Sequence, residues 1–312
     1  MRETGIDRNG EGFWSDSCDC FTYYDPTKQH RFTLIFEDKT IVKNKFPASK
    51  IKFSKTLSPL RFAGGKSKLI DYLYSHIETR TNKSKKLVSA FTGGGSFELA
   101  MLHAGIVDEL HLNDLDFGIY SLWWTILHAP YTLIDRIINT SPSHKDFFAS
   151  QRIIKNDYKG IDAIDAAWAT LLVNRLAYSG IVKANPLGGK NGTKEALLSR
   201  WNPQLLIKRI ELIHSYADRI TITCEDAASL IEEAYWDDES IIFLDPPYLL
   251  KGKDLYTRFY TERDHVRLCV LLEQLYKGMP GADILLTYDY SEWLDKLHVY
   301  PDIEIIGCNY SI

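Results

Sequence analysis

Cysteine is scarce in this chain of 312 residues: Cys18, Cys20, Cys224, Cys269 and Cys308 are odd in number and scattered. That excludes a disulfide framework and a four-ligand zinc pattern, and it fits a reducing cytosol. Cys18-Asp19-Cys20 has the wrong spacing for a zinc pair, so no metal is expected. Long apolar runs are missing as well. The first ten residues are polar and charged, and no window reaches the length needed to span a bilayer, so the reading is a soluble cytoplasmic protein with no membrane partner. An overall basic excess is also absent: 37 Lys and Arg stand against 41 Asp and Glu, a net charge of -4. Any contact with phosphates therefore has to come from a local patch. A P-loop is excluded because the spacing before Gly65-Lys66-Ser67 is wrong.

What is present is a substantial supply of core, 45% hydrophobic and 12% aromatic residues, enough for one large domain or two. The run Ile241-Ile242-Phe243-Leu244 reads as a fully buried strand, and it ends abruptly in Asp245-Pro246-Pro247-Tyr248. Prolines donate no ladder hydrogen bonds and stiffen the backbone, so Asp245 and the Pro246 carbonyl should be displayed at the sheet edge beside an aromatic ring. Such a cup suits a flat polar group, and ligands of open α/β sheets bind outside the carboxyl ends of strands. Alone, the tetrapeptide is equally a strand followed by a proline turn.

Residues 1–57 read as an N-terminal extension, with Arg31–Phe36 and Thr40–Phe46 as the two arms of a hairpin. Next, Phe62-Ala63-Gly64-Gly65-Lys66 places a glycine turn and a lysine before an apolar-periodic helix, a setting for an anion or carboxylate. A strand over Lys86–Phe91 leads through Thr92-Gly93-Gly94-Gly95-Ser96 into a helix, the geometry in which a nucleotide-like cofactor lies against the loop. The second strand, Glu109–Asn113, ends in Asp114, placed to bind ribose hydroxyls. From Tyr131 to Asp218 the pattern turns helical, and between Pro142 and Arg209 basic residues outnumber acidic ones about two to one. Within that region Asn174-Arg175-Leu176-Ala177-Tyr178-Ser179-Gly180 leads into a loop of Gly, Asn, Pro and Lys, suited to phosphates and base edges, with a mobile surface loop as the lesser alternative. Strands then resume at Arg219–Cys224, Ile241–Leu244, Ala282–Asp289 and Asp302–Gly307. Alternating strands and helices predict an α/β fold, a doubly wound sheet with a basic helical insertion between its second and third strands.

Taken in order, Phe-Ala-Gly-Gly-Lys, Phe-Thr-Gly-Gly-Gly, Asn-Asp, Asn-Arg-x-x-Tyr-Ser-Gly and Asp-Pro-Pro-Tyr resemble the Dam-type N6-adenine DNA methyltransferases from about Pro59 onward. The resemblance implies a Rossmann-like methyltransferase sheet divided as 58–134 for the cofactor, 135–216 for target recognition and 217–312 for the catalytic half. It implies S-adenosylmethionine held by Phe62, Ala63, Gly64, Lys66, by Phe91, Thr92, Gly93 and Gly95, by Asp114 on the ribose, by Asp226 near the adenine ring, and by Asp245 between cofactor and substrate. Asn174, Arg175, Tyr178, Gly180, Pro186 and Gly188 match the family's recognition segment. With Lys183, Lys190 and Arg200, the residues Asn174, Arg175 and Tyr178 are the expected contacts to double-stranded DNA. Ser89 and Ala90 stand where the family usually has an acidic residue and proline, Phe62 where tryptophan is common, and Ser179 where asparagine is usual. The family pattern also includes a further strand after the last one seen here, and the N-terminal hairpin is a candidate to compensate for it.

The chemistry expected is direct methyl transfer. A flipped adenine stacks on Tyr248 and gives its N6 hydrogens to the Asp245 carboxylate and the Pro246 carbonyl, with no metal and no covalent intermediate. Methylation of the cytosine amine, methylation of an RNA base and a catalytically silent DNA-binding module are the alternatives. A monomer or weak homodimer is expected.

Overall fold

The computed structural model describes residues 12–14, 21–23, 31–38, 49–62, 64–78, 85–249, 258–297 and 302–307. Met1–His30 forms one compact unit and Arg31–Ile312 another. In the first, β1 (Gly12–Trp14) pairs antiparallel with β2 (Phe21–Tyr23).

The second unit is built on a seven-stranded sheet in which neighbouring strands run parallel. Its strands are β3 (Phe32–Asp38), β4 (Lys86–Ser89), β5 (Glu109–Asn113), β6 (Ile220–Thr223), β7 (Ser240–Leu244), β8 (Asp283–Asp289) and β9 (Asp302–Gly307). They lie in the order β6-β5-β4-β7-β8-β3-β9. A parallel sheet covered on both faces needs strands that are apolar at every position, and all five residues of β7 are buried. Strand alternation then sorts the side chains. Leu87, Ile241, Phe243 and Leu285 join one core cluster, whereas Val88, Ile242, Leu244 and Leu286 join the other.

The first face is covered by α1 (Ile70–Glu78), α2 (Ser96–His103), α3 (Phe117–His128) and α4 (Pro130–Asn139). Three further helices follow α4, namely α5 (His144–Lys155), α6 (Ala163–Leu176) and the four-residue α7 (Lys194–Leu197). They build a core of their own around Phe147, Ile154, Leu172 and Leu176. The chain returns through α8 (Pro203–His214), which packs back on the first face. The second face carries α9 (Ala227–Ala234), α10 (Glu262–Lys277) and α11 (Glu292–Leu297). The helical insertion thus lies between β5 and β6, the second and third strands of the sequence reading.

One strand differs from its sequence reading. The run Arg31–Phe36 forms β3, which sits inside the sheet and pairs parallel with β8 on one side and β9 on the other. Its proposed hairpin partner, Thr40–Phe46, lies outside the described residues. The physical reason is burial: Leu34, Ile35 and Phe36 are wholly covered, which a two-stranded hairpin cannot provide. Among the described residues no helix is long and apolar enough to cross a membrane, and no cluster of His, Cys, Asp or Glu is arranged to hold a metal.

Candidate active site

Because the strands run parallel, the segments that leave their carboxyl ends meet along one edge. The chain order reverses at β4 and β7: β5 and β6 extend the sheet to one side of β4, and β7 returns on the other. A crevice opens where adjacent strands send their connections to opposite sides, and this is where open α/β sheets bind ligands. Here a cavity of about 370 Å³ lies between the glycine turn after β4 and Asp245 after β7.

The turn is held by its neighbours. Gly93 N donates to Asp114 Oδ2 at 2.8 Å, and Asp116 N donates to Asp114 Oδ1 at 2.9 Å. Trp123 Nε1 donates to Gly93 O at 3.2 Å. Gly95 has φ +58, and a Cβ there would stand 2.7 Å from the Trp123 ring, so glycine is required both sterically and conformationally. Phe62 packs over the turn closely enough that a Cβ on Gly93 would meet its ring at 2.8 Å. Burial first, and the Asp116 carboxylate second, push Asp114 up to about 7. Asp226 caps α9, its Oδ1 accepting from Ala228 N at 3.1 Å, and lines the cavity. Phe91 meets Tyr260 edge to face at 5.3 Å.

Asp245 is fixed through one oxygen. Lys66 Nζ lies 2.7 Å from Oδ1, and Thr287 Oγ1 donates to the same Oδ1 at 2.9 Å. Among the described residues none contacts Oδ2, which leaves that oxygen to the cavity that Asp245 lines. Burial raises the Asp245 carboxyl above its ordinary value, the Lys66 ammonium pulls it down, and Glu37 raises it again. Glu37 reaches Lys66 at 3.0 Å, and Glu98 adds a third buried carboxyl, with Ser89 Oγ donating to it at 2.6 Å.

Phe62, Lys66, Phe91, Thr92, Gly93, Gly95, Asp114, Asp226, Asp245 and Pro247 all line this one cavity. Pro246 and Tyr248 are buried away from it. Tyr248 is 5% exposed and packs against Gly64, where a Cβ would strike its hydroxyl at 2.2 Å. Ala63 lies outside the described residues. Among the residues read as DNA contacts, Tyr178, Lys183, Lys190 and Arg200 are exposed, but Asn174 and Arg175 are buried. Asn174 Nδ2 donates to Arg61 O, and its Oδ1 accepts from Arg61 N, both at 2.8 Å. Arg175 spends its guanidinium on Arg200 O, at 2.6 Å from Nη2, and on Pro59 O, at 3.5 Å from Nη1.

Sequence reasoning missed Glu37, Glu98, Thr287 and Tyr260. Glu37 carried a usable signal, since Phe32–Phe36 is an apolar run ending in a carboxylate, the same pattern as Ile241–Asp245. Thr287 is the polar residue near the end of another such run, whereas nothing local marked Glu98 or Tyr260.

A doubly wound sheet with a nucleotide-sized cavity and an anchored Asp-Pro-Pro-Tyr carboxylate at its switch point defines an amino-group methyltransferase. The family model of D12 class N6 adenine-specific DNA methyltransferases matches residues 62–298, and the chain belongs to that family. A relative, the type II methyltransferase M.MjaIII of Methanocaldococcus jannaschii, is 22% identical over 262 residues, covering 77% of this chain and 86% of its own length.

Proposed function

We propose that the enzyme takes S-adenosylmethionine as methyl donor and transfers the methyl group to N6 of an adenine flipped out of double-stranded DNA. The observation that carries this reading is Asp245, tied down through Oδ1 at the switch point and left with Oδ2 for a ligand. The donor set fits the cofactor. Asp114 uses each oxygen once on a backbone N–H and keeps lone pairs for ribose hydroxyls, while Phe62 and Phe91 offer apolar faces. Asp226, exposed at the helix start, is placed for the adenine amine. S-adenosylmethionine would supply an electrophilic sulfonium methyl.

The chain's own contribution is to make the amine a nucleophile. An exocyclic amine conjugated with its ring has a delocalised lone pair. Asp245 would accept one of its hydrogens at the cavity, and the Pro246 carbonyl, buried away from it here, would accept the other once the motif turns with Tyr248; together they would favour a pyramidal nitrogen. Stacking on Tyr248 requires that ring to turn out from Gly64; Asp245 and Pro247 are the motif residues that line the cavity as it stands. We assign the helical segment 135–216 to target recognition, with Tyr178, Lys183, Lys190 and Arg200 on its surface.

The test is transfer of a labelled methyl group to unmethylated duplex DNA, followed by digestion to nucleosides. N6-methyladenine is expected, and Asp245→Ala should cut turnover by at least about a hundredfold without unfolding the protein. Label on the cytosine amine, on RNA alone, or on nothing would each overturn the reading.

A further inference from the structure

Strand β3 lies outside the family-matched segment 62–298, yet it delivers a carboxylate to the catalytic end of the sheet. Glu37 is 3% exposed and stands in register with Asp289, at the same strand edge as Asp245. Lys66, itself 4% exposed, forms ion pairs with Asp245 Oδ1 at 2.7 Å and Glu37 Oε1 at 3.0 Å and donates to Gly64 O at 3.0 Å. A lysine is a point charge on a flexible stem, so its position is fixed only by what surrounds the charge. Asp245 alone would fix one direction; Glu37 and the Gly64 carbonyl fix the others.

We propose that Glu37 is a positioning residue for the Asp-Pro-Pro-Tyr carboxylate, holding the Lys66 ammonium against Asp245 Oδ1 so that Oδ2 stays free for the amino group. The inference rests on the role assigned to Asp245 above. The N-terminal strand is then part of the active site as well as of the sheet. The ionisable groups facing Asp245 are Lys66 after the first glycine turn, Glu37 on β3 and Glu98 on α2. Neutralising Glu37 removes a negative neighbour, but it also releases the Lys66 ammonium, whose pull on Asp245 is the larger of the two influences, so the Asp245 carboxyl should titrate at higher pH.

The experiment compares wild type, Glu37→Gln and Glu37→Asp in methyl transfer to duplex DNA, alongside carbon NMR titration of labelled aspartate carboxyls. Glu37→Gln should lower kcat about tenfold to a hundredfold with KM for S-adenosylmethionine within about twofold of wild type. Glu37→Asp, which keeps the charge, should recover part of the loss. The Asp245 titration should move to higher pH in Glu37→Gln, as the ammonium that holds it down is released. In a Lys66→Met background, Glu37→Gln should have no further effect on kcat. Wild-type kcat in Glu37→Gln, an unmoved Asp245 titration, or an undiminished further loss in the Lys66→Met background would each overturn the proposal. If wild-type protein methylates no DNA, the functional reading fails on its own, and the NMR titration still decides the role of Glu37.

Discussion

Glu98 shows how far the site departs from an ordinary protein surface. It projects from the first turn of α2, and burial pushes its carboxyl up to about 7; the Ser89 hydrogen bond opposes the shift and the Asp245 charge adds to it. An unfolded chain would release that proton near the ordinary value of 4.5. Between those two pH values the folded protein holds a proton the unfolded chain has lost, so stability falls as pH rises through the window. The full effect is about 3 kcal/mol, the product of the shift and about 1.4 kcal/mol per unit. Glu98→Gln keeps an acceptor for Ser89 and removes the titration. Thermal unfolding from pH 5 to pH 8 should therefore show wild type losing stability relative to Glu98→Gln, with the variant the more stable at pH 8. Parallel pH profiles would show that Glu98 is not protonated in the folded protein.

At the scale of elements, the tie between α6 and the segment after Pro59 decides what the Asn-Arg motif does. The Asn174 amide matches both backbone groups of Arg61, and Gly180, at φ +75, comes so near that a Cβ would stand 2.3 Å from Arg61 O. The helical insertion is thereby latched to the segment that carries Phe62, which packs over the glycine turn after β4. Asn174→Asp preserves shape and the acceptor but loses both donated bonds, to Arg61 O at 2.8 Å and to Gly180 O at 3.4 Å. It should cost about 2 kcal/mol in stability and raise KM for the cofactor, while the salt dependence of DNA binding stays as in wild type. A changed salt slope with unchanged stability would instead make Asn174 a DNA contact. Residue order could not reveal this, because the partners are more than a hundred positions apart and a buried Asn reads the same in sequence as an exposed one. The strands ending in Asp114 and Asp245 were legible, since an apolar run closing on a carboxylate is a local signal. For β3 the local signal was present, but its place between β8 and β9 is a matter of long-range pairing that only the folded sheet settles.

For the whole molecule, a net charge of -4 has to be reconciled with a polyanionic substrate. The resolution is segregation. Acidic side chains, Glu37, Glu98, Asp114 and Asp245 among them, converge on the cavity, while Lys183, Lys190 and Arg200 stand exposed on the insertion, which has its own core around Phe147 and Leu172. On the proposed function, a separately packed basic body beside an acidic pocket would direct the phosphate backbone to the insertion and keep phosphates out of the cavity. Each lysine or arginine that neutralises a phosphate releases counterions, so binding weakens with salt at a slope of about 0.9 per contact. Changing Lys183, Lys190 and Arg200 to alanine together should reduce the slope of log Kd against log salt by about 3 and weaken binding nearly uniformly across sequences. Methyl transfer at saturating DNA should stay close to wild type, because none of the three lines the cavity. Fluorescence anisotropy between 50 and 300 mM salt, in steps of about 50 mM, measures the slope; an unchanged slope would move the DNA path off this face of the insertion.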